Sequence, residues 1–133
     1  MTHIFKTNSL TSFFIFLSLL IFSHSSLSEE VVFTGSFTGA SGHETSGSVS
    51  IIKTAKGFSV VLNDDFDFDG APDPRVGFGK NGEYDPDSEL DDLKSNSGKQ
   101  TYTISKYIKL KKYDEVYIWC EQFSVPLGVA KIK

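Results

Sequence analysis

The sequence predicts an all-β domain, an antiparallel sandwich or barrel of about seven to nine short strands. Three observations carry that expectation. Beyond residue 30, apolar and polar residues alternate along much of the chain, the two-residue period of a strand with one covered face. Most of the eleven glycines, with the four prolines, punctuate those runs at short intervals. No stretch of the same region shows a convincing three-and-four spacing of apolar residues, so no amphipathic helix is expected.

Residues 31–38 read as the first strand, closed by Gly39 and a turn of Ala40, Ser41 and Gly42. Residues 45–53 follow, with Gly47 early and Val49 and Ile51 on one face. The short turn of Ala55, Lys56 and Gly57 leads into residues 58–62, which makes these two runs a hairpin. Residues 75–79 form a further strand with Val76 and Phe78 on one face, and residues 100–105 alternate Tyr102 and Ile104. Residues 115–120 give the strongest strand. Val116, Ile118 and Cys120 share one face and Tyr117 and Trp119 the other, so it should lie inside the sheet and be covered on both sides. Residues 125–132 close the chain, alternating Val125, Leu127 and Val129. Residues 80–99 break the pattern, being long, acidic and interrupted by Pro86 and Gly98. They read as a solvated excursion with at most one helical turn at 88–93.

The first 28 residues are different in kind. Residues 1–8 carry one cation, Lys6, and no acid; residues 10–22 are mostly Phe, Leu and Ile; residues 23–28 are mainly small and polar. That is the layout of a secretory signal peptide, with Ser26 and Ser28 suiting the small positions before a cut. The expectation is a leader over 1–28, one domain over 29–133, and a secreted or periplasmic product. The apolar core is shorter than the roughly 20 residues of a membrane span, so no stable insertion is expected after cleavage.

Composition excludes several classes. A chain of 133 residues suits one domain, expected as a monomer, and a formal charge of −4 argues against a nucleic-acid binder. The single cysteine excludes an intramolecular disulfide, a multi-cysteine metal centre and a Cys-x-x-Cys oxidoreductase. No catalytic constellation stands out beyond that cysteine, so an enzyme is not expected.

Cys120 is the leading candidate. An exported lone thiol is open to sulfenic acid formation, glutathionylation or an intermolecular disulfide. A buried, inert thiol explains the same residue, and Asp114, Glu115 and Glu121 would disfavour a thiolate if they were close. Haem ligation by Cys120 or by His43, which lies beside Glu44, stays open, although no Cys-x-x-Cys-His motif is present. Asp65, Asp67 and Asp69 before Gly70 match the first half of a calcium loop. The match then fails, with Pro72 at the eighth position and Val76 at the twelfth. A strand end with Phe66 and Phe68 inward and the carboxylates in solvent is an equal account. Lys106, Lys109, Lys111 and Lys112, interleaved with Tyr107 and Tyr113, form a basic patch, read as a solvated loop or a docking surface for an acidic partner.

Two segments carry a resemblance. One runs from Asp65 through Asp67, Asp69, Gly70, Pro72 and Asp73 to Val76 and Phe78. The other holds Trp119 and Cys120, with Phe123 three residues and Gly128 eight residues after the cysteine. With the opening Phe33, Gly35 and Phe37 and the run from His43 to Gly47, the chain resembles the DM13 domain over residues 31–133. It departs from the family pattern at Pro74 and in the length of its acidic segment. The resemblance implies a β-rich extracytoplasmic domain, found alone or beside DOMON-type haem- or sugar-binding domains. It also implies a redox or electron-transfer role centred on Cys120, with Trp119 shaping its surroundings. The partner would be a separate redox or DOMON-type protein. The competing class is a non-catalytic binding or adhesion module with a buried structural cysteine.

Overall fold

In order along the chain the strands are β1 (Glu30–Gly39), β2 (Thr45–Ser46), β3 (Ser48–Thr54), β4 (Gly57–Leu62), β5 (Asp67–Phe68) and β6 (Pro74–Lys80). They continue with β7 (Glu83–Tyr84), β8 (Asp91–Asp92), β9 (Gln100–Thr103), β10 (Glu115–Cys120) and β11 (Val125–Ile132). This is a computed structural model that describes Ile21 and residues 29–133; apart from Ile21, the leader expected over 1–28 lies outside the described residues. The seven longer strands coincide with the seven alternating runs of the sequence.

The main sheet has the order β7-β6-β10-β11-β1-β3-β4-β9, every pairing antiparallel, and curls into a half-barrel. β2 and β5 form a separate two-stranded ribbon. Alternation decides which side chains fill the concave face. Val49 and Ile51 of β3, Val60 and Leu62 of β4, Val76 and Phe78 of β6, and Val116 and Ile118 of β10 are all buried in one core cluster. The expectation for β10 holds, since it pairs with β6 on one side and β11 on the other.

Two departures have local causes. The run 45–53 is not one strand. Gly47 breaks it with φ +96°, and a side chain there would strike the Asp65 carbonyl, so β2 leaves the main sheet to pair with β5. The acidic segment is also not the solvated excursion its composition suggests. β7 and β8 both pair with the outer edge of β6, and a 3-10 turn at Pro86–Ser88 joins them. Ser88 is fully buried; its Oγ accepts from the Phe78 N–H at 2.7 Å and lies 2.9 and 2.6 Å from the Phe78 and Asp85 carbonyl oxygens. Leu90 and Leu93 pack on the core. The segment covers a sheet edge that would otherwise present unpaired backbone groups, and its exposed Asp91 and Asp92 keep the new edge charged.

Candidate functional site

The last two residues of β10 point opposite ways, as the pleat requires. Cys120 faces the core and is 1% exposed, whereas Trp119 faces outward and is half-buried. The cysteine lies beside Pro74 of β6 and Val125 of β11. Its thiol donates to the Pro72 carbonyl at 3.2 Å. Sγ is thus held as a donor inside an apolar cluster.

The turn that supplies this carbonyl is shaped by its sequence. Gly70 has φ +96° and Asp73 φ +49°, a left-handed conformation that Asp tolerates better than most residues. The turned Asp73 accepts the Glu121 N–H through its carbonyl at 3.1 Å. Its carboxylate takes Arg75 Nε and NH2 at 2.8 and 3.2 Å. Pro74 is tolerated because it stands at the first position of β6, where the missing N–H costs least. The two segments that carried the resemblance therefore meet, one closing over the end of the other.

On the outer face, Trp119 stacks on Tyr84 with centroids 4.4 Å apart and planes 14° apart. Tyr84 also tilts against Tyr117 at 5.6 Å. Gly77 leaves room for this, since a Cβ there would come within 2.8 Å of the Tyr84 ring and hydroxyl. Burial pushes the Tyr84 phenol above the usual tyrosine range, and Glu89 and Glu121 add to the shift. Its buried hydroxyl has no hydrogen-bond partner among the described residues. Arg75, opposite Trp119 in register, contacts Asp73, Glu89 and Asp92 within 2.8–3.4 Å. Hydrogen bonding to Asp73, then the charges of these acids, keeps it firmly protonated.

Of the acids near Cys120 in sequence, Asp114 and Glu115 lie at the far end of β10, whereas Glu121 follows it directly and is exposed. Glu115 is also on the opposite face of that strand from Cys120, 1% exposed. It accepts the Gly82 N–H and the Tyr117 hydroxyl, each at 2.7 Å. Those two donors compensate a buried carboxylate.

The aspartate run is spread out by the same alternation. Phe66 and Phe68 are buried while Asp65, Asp67 and Asp69 are exposed. Asp65 accepts the Ser48 N–H and hydroxyl, both at 2.9 Å, and Asp69 accepts the Glu44 N–H at 3.0 Å and pairs with His43 Nδ1 at 2.9 Å. Backbone N–H donation, from Ser48 and Glu44 respectively, is the main reason both carboxyls lie below their ordinary range. Among the described residues no group of three His, Cys, Asp or Glu side chains is arranged to hold a metal ion. The calcium reading therefore gains no support.

A family model described as electron transfer DM13 matches residues 36–132. The chain belongs to the DM13 family. No match was found among curated proteins or among solved structures. A haem bound through Cys120 does not fit this geometry: the sulfur is engaged with Pro72 and buried, and an axial ligand needs an open path to the iron. His43 is tied to Asp69 through Nδ1 in a cleft of about 470 Å³ lined also by Phe68 and Asp67. Sequence reasoning found Cys120 and Trp119 but missed Tyr84 and Arg75. An aromatic residue within an acidic stretch was the available signal for Tyr84; nothing in the sequence paired Arg75 with Trp119.

Proposed function

We propose that this DM13 domain is an exported electron-transfer module in which Cys120 is the redox group and a separate protein supplies or takes the electrons. The observation that carries the reading is the hydrogen bond from the Cys120 thiol to the Pro72 carbonyl. It ties the cysteine to the turn at residues 70–73, so chemistry at Sγ is coupled to movement of one short segment. Trp119, stacked on Tyr84, lies opposite Arg75, whose three carboxylate partners Asp73, Glu89 and Asp92 outnumber it, so this face beside the turn is aromatic and net acidic and suits a partner with a basic surface.

The reaction open to one thiol is exchange with a disulfide: Cys120 gives up its proton, bonds to one sulfur of the disulfide, and releases the other as a thiol. The test equilibrates the full chain in glutathione buffers of graded oxidised share, quenches, unfolds and weighs it. A mixed disulfide on Cys120 that rises with the oxidised share is the expected result. A free thiol at every ratio overturns the redox assignment.

The near-complete burial of Cys120 favours a second reading, a non-catalytic binding module with a structural thiol. Under that reading Cys120→Ser changes stability and leaves partner binding intact.

A further inference from the structure

We propose that the groove between the start of β1, the β3–β4 hairpin and residues 104–112 binds a small amphipathic anion, a molecule with an apolar body and one anionic head such as a medium- or long-chain carboxylate. The groove lies at the opposite end of the half-barrel from Cys120. β1 residues 30–33 run past Ile132, at the end where β10 begins with Glu115.

Its volume of about 920 Å³ is within the range of about 300–1,000 Å³ typical of small-molecule sites. The floor is apolar and preformed. Ile104 belongs to the core, and Val32, Phe58, Ile108 and Leu110 are half-buried against it. The walls carry Lys53, Lys56, Lys106, Lys109, Lys111 and Lys112, with Glu30 as the one acid among the lining residues. Six of the thirteen Lys and Arg residues thus gather at one groove of a chain whose net charge is −4. Among the described residues the ion pairs are made by His43 and Arg75, so none of these lysines is in a direct ion pair, although the charge of Lys112 is felt by Asp85.

Crowding like charges raises the local potential, which an anion relieves. Apolar floor and cationic walls favour one orientation, with the body inside and the head at the mouth. Lysines alone, without arginine, recognise charge rather than the forked shape of a particular head group. The segment at 1–28 is a poor occupant by the same argument, since it brings Lys6 and no acid.

Calorimetry on the full chain with decanoate and with decanol provides the test. Decanoate binds and decanol binds at least tenfold more weakly. Lys109→Gln, Lys111→Gln and Lys112→Gln together weaken decanoate about tenfold with an unchanged melting temperature, and Phe33→Ser weakens both ligands. Equal binding of the acid and the alcohol, or full retention in the triple variant, overturns the proposal. So does decanoate binding that appears only after removal of residues 1–28, which makes that segment the occupant. Binding to phosphatidylglycerol vesicles without binding to free decanoate also overturns it, in favour of a membrane surface.

Discussion

Cys120 and Trp119 are adjacent in sequence and separated by the thickness of a sheet. The cysteine sits in the core with Pro72 as its acceptor, while the tryptophan stacks on Tyr84 outside. Their roles separate accordingly. In the resting fold Cys120 should react with iodoacetamide slowly, through local opening of the turn at residues 70–73, and the rate should rise with urea; reaction confined to global unfolding would overturn the redox assignment. Fast modification in buffer alone would show a thiol far more open than this one. The outer pair has its own probe in the single tryptophan. Gly77→Ala places a methyl against Tyr84, so Tyr84 must leave Trp119. The expected results are a shifted Trp emission and a loss of about 1–3 kcal/mol, the usual cost of overpacking. Unchanged emission would mean that the stack tolerates the methyl.

At the scale of elements, the acidic segment is where composition misled most. Its charges and Pro86 read as solvent-facing, and they are largely exposed. The segment is held by β7 and β8 pairing with β6, by Arg75 on Glu89 and Asp92, by Ser88 against both backbone groups of Phe78, by the Tyr113 hydroxyl on Asp85 at 2.6 Å, and by the apolar contacts of Leu90 and Leu93. Ser88→Ala leaves the buried Phe78 N–H without its acceptor. An unsatisfied buried group of this kind costs about 1–3 kcal/mol. Urea unfolding should register that loss, and hydrogen exchange at the Phe78 amide should accelerate, while the β3–β4 hairpin stays protected. Strands were legible because alternation leaves a mark every two residues. Two-residue strands are too short to show a period, and their pairing with β6 leaves almost no local mark.

For the whole molecule, titration follows from which groups lie below or above their ordinary range. Asp65, Asp69 and Asp85 are lowered in the fold, chiefly by the Ser48 N–H, the Glu44 N–H and the Tyr113 hydroxyl respectively. Their contribution is present above the ordinary value of 3.8 and is lost as pH falls through the lower folded values. Urea midpoints should therefore drop below about pH 4, and Asp65→Asn with Asp69→Asn should flatten that drop. Tyrosines behave in the opposite sense. Burial, aided by Asp85, pushes Tyr113 up to about 12, and Tyr84, Tyr102 and Tyr117 are also raised mainly by burial. Their neutral forms stabilise the fold fully below pH 10, and that stabilisation is lost as pH rises through the higher folded values. In a Tyr107→Phe variant, which removes the one strongly exposed tyrosine, phenolate absorbance should then appear in a cooperative step with unfolding; a gradual rise near pH 10 in that folded variant would contradict the packing described.

The amino-acid sequence by itself determined the all-β class, the seven longer strands, the inward residues of β3, β6, β9 and β10, and the family. These are properties of period and short motifs, written in neighbouring residues. It also determined that any thiol chemistry rests on Cys120. In β11 the expected alternation of Val125, Leu127 and Val129 breaks: the register shifts against β10, and Leu127, Ala130 and Ile132 fill the core. Only the tertiary structure decided that this thiol is closed off by Pro72, that Trp119 works with Tyr84 and Arg75, and that lysines from β3, the hairpin turn and residues 106–112 line one groove. Each of those pairings joins residues far apart in the chain. Sheet order brings them together, and no local pattern encodes it.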